Sequence, residues 1–290
     1  MTNNNDYKFS LAHLCAVDQP ILNLMQLAES AGYDYVSPRL LPVTDTETPH
    51  VLVGNKEKIK ECQKFLEDSP LEVLDIELLK ITADTNVTDD FEPVLEAGKY
   101  IDAKHAITQV YVDGDDIPYD KIEKLCELAD SYNMNIVLEM IPWSNLSSVD
   151  KTVEVLNSLK GKNTGILLDL LHLFRTDTSK DDLKNIPEQY CHFVHLCDGT
   201  APWHFDENSQ KHIARGGRYP AGRGDIPVMD YLKLIPSNVY SLEIPNERLY
   251  REMGGRKYAK FILEDTKNYL SLSSCWSVKD EFYSVPTRLI

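Results

Sequence analysis

Eight apolar, β-rich segments alternate with amphipathic stretches along the chain, and this alternation constrains the fold more than any other feature of the sequence. Strands that alternate with helices form βαβ units and therefore a parallel sheet. Eight such units favour a closed barrel. The candidate strands lie at residues 8–16, 34–41, 71–81, 106–114, 135–143, 164–174, 191–199 and 239–247.

The stretches between these strands carry apolar residues at helical spacing. Ile21, Leu24, Met25 and Ala28 follow the i, i+3, i+4, i+7 pattern, and Gly32 is placed to end that helix. The same spacing recurs within 122–129, 152–159 and 256–270, whereas 181–190 predicts only a weak, short helix.

A doubly wound open sheet would show the same alternation of strands and helices. Its first strand, however, is followed by a glycine-rich phosphate-binding turn. The first strand here continues into "HLCAVDQP", which contains no glycine. We therefore predict an α/β fold built as a single (β/α)₈ TIM barrel.

The barrel is expected to span residues 1–270, and a C-terminal extension residues 271–290. Trp276, Phe282 and Tyr283 in the extension predict that it packs on the barrel or on a partner subunit. The longest irregular stretch is 198–227, between the seventh strand and its helix. A loop of this length in a compact domain is usually functional or disordered.

Composition narrows the class of protein. The chain has 290 residues, 42% of them hydrophobic, and a formal net charge of −16, which repels a phosphate backbone and argues against nucleic acid as a partner. No segment has the pattern of a signal peptide or of a membrane-spanning helix. The six cysteines contain no CxxC pair, as is typical of reduced, buried thiols. These features predict a cytoplasmic protein without a membrane partner.

Polar residues interrupt the last four apolar strands near their ends. These residues are Glu139, Asp169, His195 and Glu243, one on each of strands five to eight. Period-2 alternation directs all four side chains to the inside of the barrel, at its C-terminal mouth, where barrel enzymes place their chemistry. Three carboxylates and an imidazole would converge unfavourably without a cation. We therefore predict one divalent metal ion, with Mn²⁺, Mg²⁺ or Co²⁺ favoured by the oxygen-rich ligands and Zn²⁺ also possible.

These four residues, together with His172 in "LLDLLH", resemble the metal motif of the xylose-isomerase-like barrels, which include the sugar phosphate isomerase/epimerase family. The resemblance covers about residues 8–268. It implies that the four residues bind the metal and that Glu139 and Glu243 also act as acid and base. It further places His172 beyond the end of its strand, where it would reach a substrate oxygen.

The loop sequence "RYPAGRGDIP" resembles a family segment of the form R-x-P-G-x-G that follows the metal-binding histidine. The resemblance makes Arg218 the residue that contacts a substrate hydroxyl or anionic group. The chain departs from this pattern by the inserted Ala221 and by Arg223 between the two glycines. Arg215 and His212 add to the positive charge of this loop.

Four weaker candidates lie on the predicted strands. Trp143 follows Glu139 and could pack on the face of a sugar, Arg39 could bind an anion, and His13 lies on the first strand. We place these three among the candidate substrate-binding residues. Glu77 on the third strand is a candidate supporting residue.

The predicted function is that of a metal-dependent isomerase or epimerase, acting through an enediolate on a sugar, a sugar phosphate or a related α-hydroxycarbonyl compound. The alternative is a metal-dependent dehydratase or lyase of a hydroxy-acid or inositol-type substrate. A non-catalytic sugar-binding barrel and an apurinic-site endonuclease fit less well, since the endonuclease needs more metal ligands and a basic groove. The expected partners are a small carbohydrate-like substrate and, as in related barrels, further copies of the chain in a dimer or tetramer.

Overall fold

The structure is a computed structural model that describes residues 7–43, 47, 50–159, 163–201 and 206–276, with side chains as far as residue 272. All strands within these ranges pair in parallel. The strands are β1 (Lys8–Ala12), β2 (Tyr35–Ser37), β3 (Glu72–Val73), β4 (Asp75–Thr82), β5 (His105–Tyr111), β6 (Asn135–Glu139), β7 (Thr164–Asp169), β8 (Val194–Leu196) and β9 (Val239–Leu242).

The sheet closes into the expected barrel. Its strand order is β3-β2-β1-β9-β8-β7-β6-β5-β4. β3 and β4 are consecutive in the chain, and only residue 74 separates them, so together they form the third of the eight predicted strands. A parallel bridge between Arg39 and Glu77 joins the chain after β2 to β4 and closes the remaining gap. The predicted (β/α)₈ TIM barrel is confirmed.

Helices follow the strands and cover the outside of the barrel. They are α1 (Ile21–Ala31), α2 (Lys56–Glu67), α3 (Val87–Tyr100), α4 (Tyr119–Ser131), α5 (Val149–Ser158), α6 (Leu170–Arg175), α7 (Lys180–Lys184), α8 (Glu207–Gly216), α9 (Val228–Leu232), α10 (Glu247–Met253) and α11 (Gly255–Trp276). Short 3₁₀ turns lie at His13–Ala16 and Glu188–Tyr190.

Several local predictions hold and two are wrong. Gly32 ends α1 in the left-handed conformation, with φ of 90°, where a side chain would be strained. The strand predicted over 164–174 stops at Asp169, because α6 begins at the next residue. The stretch 198–227, expected to be irregular, contains α8, which Asp206 caps by accepting hydrogen bonds from the main-chain N–H groups of Asn208 and Ser209.

The interior of the barrel confirms the predicted alternation of faces. A compact group of buried side chains fills it, made of Leu74, Leu78, Ile107, Val137, Leu167 and Phe193. Val137, Leu167 and Phe193 each precede a candidate metal ligand by two residues, so the ligands lie on the same inner face, one layer closer to the mouth. This apolar layer forms the floor beneath the site.

The last described helix crosses the predicted C-terminal boundary of the barrel. α11 extends to residue 276, six residues past the predicted end of the barrel at residue 270. Phe282 and Tyr283, and with them most of the predicted extension, lie outside the described residues. A helix long and apolar enough to cross a membrane is not found among the described residues.

Candidate metal centre and active site

A pocket opens at the C-terminal mouth of the barrel. The polar and aromatic side chains that line it include three of the four candidate metal ligands, Glu139, His195 and Glu243, and several neighbours on other strands. The fourth candidate, Asp169, is fully buried beside them. The lining includes Arg39, Glu77, Gln109, Glu139, Trp143, His172, His195, Arg218 and Glu243. Most of them are buried, so charges in the pocket interact through a medium less polar than water.

Asp169 ends β7 and also caps α6. Its Oδ1 atom accepts hydrogen bonds from the main-chain N–H groups of Leu171, at 2.8 Å, and His172, at 3.3 Å. Because the helix starts directly after the strand, His172 turns back toward the site instead of facing the outer wall. The capping bonds occupy Oδ1 and fix the carboxylate, so that Oδ2 is directed to the pocket.

Arg218 lies between two of the four candidate ligands. Its Nη1 atom is 2.6 Å from Asp169 Oδ2, and its Nη2 atom is 2.7 Å from Glu243 Oε2. Its Nε atom donates to the carbonyl oxygen of Ala214 at 2.8 Å. The side chain is buried, and the two carboxylates raise the pKa of the guanidinium despite the opposing effect of burial. Arg218 is therefore a permanent positive charge inside the ligand cluster.

His195 on β8 stands in register with Asp169 on β7. Its Nδ1 atom is 3.3 Å from Glu243 Oε2 and 3.8 Å from Asp169 Oδ2. Neither ring nitrogen meets the geometry of a hydrogen bond with any described residue. A buried imidazole without a hydrogen-bond partner is costly, and its two carboxylate neighbours make it a suitable cation ligand.

Glu139 ends β6 and meets the site from the side of α6. Its Oε2 atom accepts a hydrogen bond from Gln109 on β5, and its Oε1 atom is 3.9 Å from His172 Nε2. The His172 ring meets the edge of the Trp143 ring at 89°, with the ring centroids 5.4 Å apart. Glu139, Asp169 and His172 each present one ligand atom within 4.8 Å of the others.

Arg39 is present in the pocket but already paired. It donates from Nη2 and Nε to Glu77 Oε2, at 2.7 and 3.0 Å, and its Nη1 lies 3.4 Å from Glu47. His13 is not among the pocket-lining residues of the described structure. Its Nδ1 accepts a hydrogen bond from the Arg39 main-chain N–H, and its Nε2 lies 2.9 Å from the carbonyl oxygen of Gln19. His13 therefore supports the main chain of Arg39 from behind the site.

The glycines of the "RYPAGRGDIP" segment allow the main chain to pack closely around Asp198. Asp198 accepts hydrogen bonds at its Oδ2 atom from the N–H groups of Gly222 and Gly224, both at 2.9 Å. A Cβ atom on Gly224 would come within 2.4 Å of Asp198 Oδ1. The turn after Arg218 is thus wrapped tightly around one buried carboxylate. Arg223, from the same turn, pairs with Asp265 on α11 outside the pocket.

The two candidate acid–base residues have opposite electrostatic surroundings. Burial, with a contribution from Glu243, raises the pKa of Glu139 to about 8. Burial also acts on Glu243, but Arg218 and His195 hold the pKa of Glu243 well below its usual range. Burial lowers the pKa of His172 to about 4, so His172 is neutral. Burial opposes the charging of His195, yet Glu243 and Asp169 raise its pKa to about 10.

The donor set fits a divalent cation. Four buried carboxyl groups and two buried guanidiniums lie at or beside this site, and both ring nitrogens of His195 are left without a hydrogen-bond partner among the described residues. The carboxyl groups are Glu77, Glu139, Asp169 and Glu243, and the guanidiniums are Arg39 and Arg218. Carboxylates and one imidazole are suitable ligands for Mn²⁺, Mg²⁺, Co²⁺ or Zn²⁺.

The structure brings together most of the residues singled out from the sequence. Three of the four candidate ligands, Glu139, His195 and Glu243, line one pocket together with His172, Arg218, Trp143 and Arg39. The fourth, Asp169, lies behind the lining and contacts Arg218 and His195. Sequence reasoning did not select Gln109 and gave Glu77 only a supporting place. The same criterion, a polar residue near the end of an apolar strand, selects Gln109 on β5 when it is applied to every strand.

A closed barrel with an acid-rich, cation-compatible pocket at the strand ends defines the class of this protein. The family described as the xylose isomerase-like TIM barrel matches residues 25–264, well over half of the chain. The chain belongs to this family, which confirms the resemblance found in the sequence. A search among curated proteins finds no match.

Solved structures of low sequence identity share the fold. The structure of an IOLI protein with a bound zinc atom has 19% identity and a TM-score of 0.73, covering 91% of this chain and 98% of that one. A probable 3-DHS dehydratase, AsbF from Bacillus anthracis, has 19% identity and a TM-score of 0.67, with the same coverage. A D-psicose 3-epimerase crystallised with D-fructose has 13% identity and a TM-score of 0.65, covering 92% and 98%.

Proposed function

We propose that this protein is a divalent-metal-dependent isomerase or epimerase that acts on a sugar, a sugar phosphate or a related α-hydroxycarbonyl compound. The observation that carries the proposal is the position of His195, whose Nδ1 atom lies near both Glu243 and Asp169, while Glu139 and His172 group with Asp169. Membership of the family and the likeness to a D-psicose 3-epimerase support the choice of reaction class.

The metal would be held by Glu139, Asp169, His195 and Glu243. When bound, it would supply electrostatic stabilisation for the negative charge that develops on the substrate oxygens. The remaining chemistry belongs to the side chains of the pocket.

Glu243 is the glutamate that Arg218 and His195 keep ionised, so it is the one available to accept a proton. It takes the α-proton of the substrate, the electrons of the broken C–H bond move into the carbonyl group, and an enediolate forms. Glu139 supplies a proton that it takes up from solvent, and Glu243 later releases the α-proton to solvent, so both glutamates return to their starting states. Delivery to the opposite face of the same carbon gives the epimer, and delivery to the neighbouring carbon gives the isomer.

The other pocket residues would orient the substrate and exclude water. Neutral His172 and the guanidinium of Arg218 offer hydrogen bonds to substrate oxygens. The Trp143 ring provides an apolar wall beside His172. The segment from α8 to Arg218 covers the pocket, since Ala214 and Arg215 also line it.

The first experiment combines metal analysis with proton exchange. The purified protein is assayed for bound metal, loaded with Mn²⁺, and incubated in D₂O with free ketoses, ketose phosphates and hydroxy-acids, while NMR follows deuterium uptake. We expect exchange at the α-carbon of one compound class and its loss in Glu243→Gln. Glu247→Gln, which changes an exposed carboxylate nearby, serves as the matched control. Failure of the wild-type protein to bind any divalent ion would refute the proposal.

A dehydratase is the second candidate, favoured by the likeness to the probable 3-DHS dehydratase. The first step is the same removal of an α-proton by Glu243. The C–O bond to the β-hydroxyl group then breaks, and Glu139 gives its proton to the departing hydroxide, which leaves as water. Mass spectrometry of the same reactions separates the two candidates, since only the dehydratase product has lost one water molecule.

A further inference from the structure

Glu77 lines the pocket, and only one of its two carboxyl oxygens forms hydrogen bonds with other described residues. It lies on β4, is 2% exposed, and its Oε2 atom receives both hydrogen bonds from Arg39. Its main chain is fixed as well, since its N–H donates to the carbonyl of Pro38 at 3.0 Å and its own carbonyl accepts from Leu40. The carboxyl group therefore has one orientation.

The second carboxyl oxygen of Glu77 has no partner. Oε1 is buried and forms no hydrogen bond with any residue in the described part of the chain. A buried polar atom left in this condition costs free energy, and native proteins usually pair such atoms with protein, water or ligand. Arg39 determines that this oxygen, rather than Oε2, is the one left for a ligand.

The surroundings of Glu77 indicate which chemical group it would bind. A carboxyl oxygen of Glu77 lies within 4.8 Å of ligand atoms of His195 and Glu243, and Glu77 lines the same pocket as Glu139. The nearest guanidinium, Arg39, is already paired with Glu77 and Glu47. A phosphate or carboxylate would meet two like charges here. A hydroxyl group can donate to a carboxylate and can accept from a carboxylic acid, so it suits Glu77 in either form.

We propose that Glu77, held by Arg39, is a specificity-determining residue that binds an uncharged hydroxyl group of the substrate beside Glu243. This inference rests on the proposed function, since it assigns one contact of the same substrate. It also makes Arg39 a positioning residue for Glu77 rather than an anion-binding residue.

The test uses Mn²⁺-loaded wild-type protein and the compound whose α-proton it exchanges in D₂O. Glu77→Gln must offer its carbonyl oxygen to Arg39, which leaves only an amide N–H₂ group for the substrate. We expect the KM of exchange to rise about tenfold or more, with a smaller effect on kcat, because a charge-assisted hydrogen bond is lost. Glu77→Asp keeps the charge but withdraws the oxygen by one methylene, and it should raise KM similarly.

Deoxy analogues of that compound identify the hydroxyl. The wild type should prefer the parent compound to one of the analogues. In Glu77→Gln this preference should fall about tenfold, because the analogue and the variant each remove one side of the same contact. Glu47→Gln is the matched control, because it removes the other carboxylate beside Arg39 without lining the pocket. Its KM and preference should remain those of the wild type.

The possible results separate this inference from the function it rests on. Unchanged KM and unchanged preference in both Glu77 variants, with normal exchange in the wild type, would overturn the inference alone. A loss of Mn²⁺ affinity of more than tenfold in Glu77→Gln, measured by calorimetry without substrate, would make Glu77 a metal ligand and also overturn it. Absence of exchange with every compound in the wild type would remove the proposed function and this inference together.

Discussion

Arg218 donates a hydrogen bond to Asp169 over 2.6 Å in the interior of the barrel mouth. The contact joins residues 49 positions apart in the chain, and both are buried. The guanidinium of Arg218 therefore neutralises part of the carboxylate cluster that the sequence predicts to bind a metal. A metal held by Asp169 would share this carboxylate with Arg218, so metal binding and the position of Arg218 would be linked.

The first prediction concerns this competition. Arg218→Met should bind Mn²⁺ more tightly than the wild type, by about tenfold or more, since a positive charge within a few ångströms of the ion is removed. Without metal, the same variant should lose about 3–5 kcal/mol of unfolding free energy, because the two buried carboxylates of Asp169 and Glu243 are left with only His195 as counter-ion. Calorimetry with Mn²⁺ and urea unfolding in EDTA measure the two effects.

Arg223→Met is the control for Arg218→Met, since Arg223 belongs to the same loop and pairs with Asp265 at the surface. It should change neither quantity appreciably. Weaker Mn²⁺ binding by Arg218→Met would show instead that Arg218 holds the carboxylates in the positions that the metal requires.

The second prediction is that metal binding releases protons. In the absence of metal, burial keeps Glu139 protonated, with a pKa of about 8, and the neighbouring carboxylates keep His195 protonated against the effect of burial, with a pKa of about 10. Both residues bind a metal only after losing the proton, so Mn²⁺ affinity should rise between about pH 6 and about pH 8, by up to about tenfold per pH unit for each proton. Titration calorimetry in buffers of different ionisation enthalpy counts the protons, and His195→Gln should release one fewer.

The outline of the barrel follows from the sequence because it depends on local patterns. The alternation of faces at Val137 and Glu139, and at Leu167 and Asp169, needs only the two-residue period of a strand. That period predicts the four ligand candidates on the inner wall, and the buried group of Val137, Leu167 and Phe193 agrees with this for Glu139, Asp169 and His195. Helix spacing and the Gly32 cap are equally local signals.

Features that depend on contacts distant in sequence could not be predicted in the same way. "GILLDLLHLF" is compatible with a long strand, and only the capping of α6 by Asp169 stops the strand there. Two sets of ion pairs form only in the closed barrel. Arg218 pairs with Asp169 and Glu243, and Arg39 pairs with Glu77. Sequence reasoning identified these residues individually, but it did not predict which charges neutralise each other.

The third prediction concerns stability of the metal-free protein as a function of pH. Glu139 and His195 have higher pKa values in the folded protein than their usual values, so the folded state binds more protons than the unfolded state. By linkage, unfolding free energy should decrease as the pH rises from about 6 to about 10. Urea unfolding in EDTA at several pH values measures this trend, which saturating Mn²⁺ should reduce. If the unfolding free energy of His195→Gln depends on pH as strongly as that of the wild type, His195 is not a main source of the trend.

The fourth prediction concerns the turn that follows Arg218. The carboxylate of Asp198 accepts hydrogen bonds from the main-chain N–H groups of Gly199, Gly222, Gly224 and Ile226, at 2.8 to 3.0 Å. Asp198→Ala leaves these donors without a partner, and we expect a loss of about 2–4 kcal/mol of unfolding free energy. Arg218 lies before this turn, so the variant should also raise the KM of substrate exchange, because the guanidinium is less firmly placed.

Asp225→Ala provides the matched control for Asp198→Ala. Asp225 belongs to the same turn and accepts a hydrogen bond from the Ala201 N–H, but its side chain is exposed, so water can replace the lost contact. Urea unfolding should give a loss below about 1 kcal/mol for this control. Similar losses of unfolding free energy in the two variants would mean that the turn is held by its main-chain contacts and α11 rather than by Asp198. The placement of Arg218 would then depend on its own ion pairs with Asp169 and Glu243.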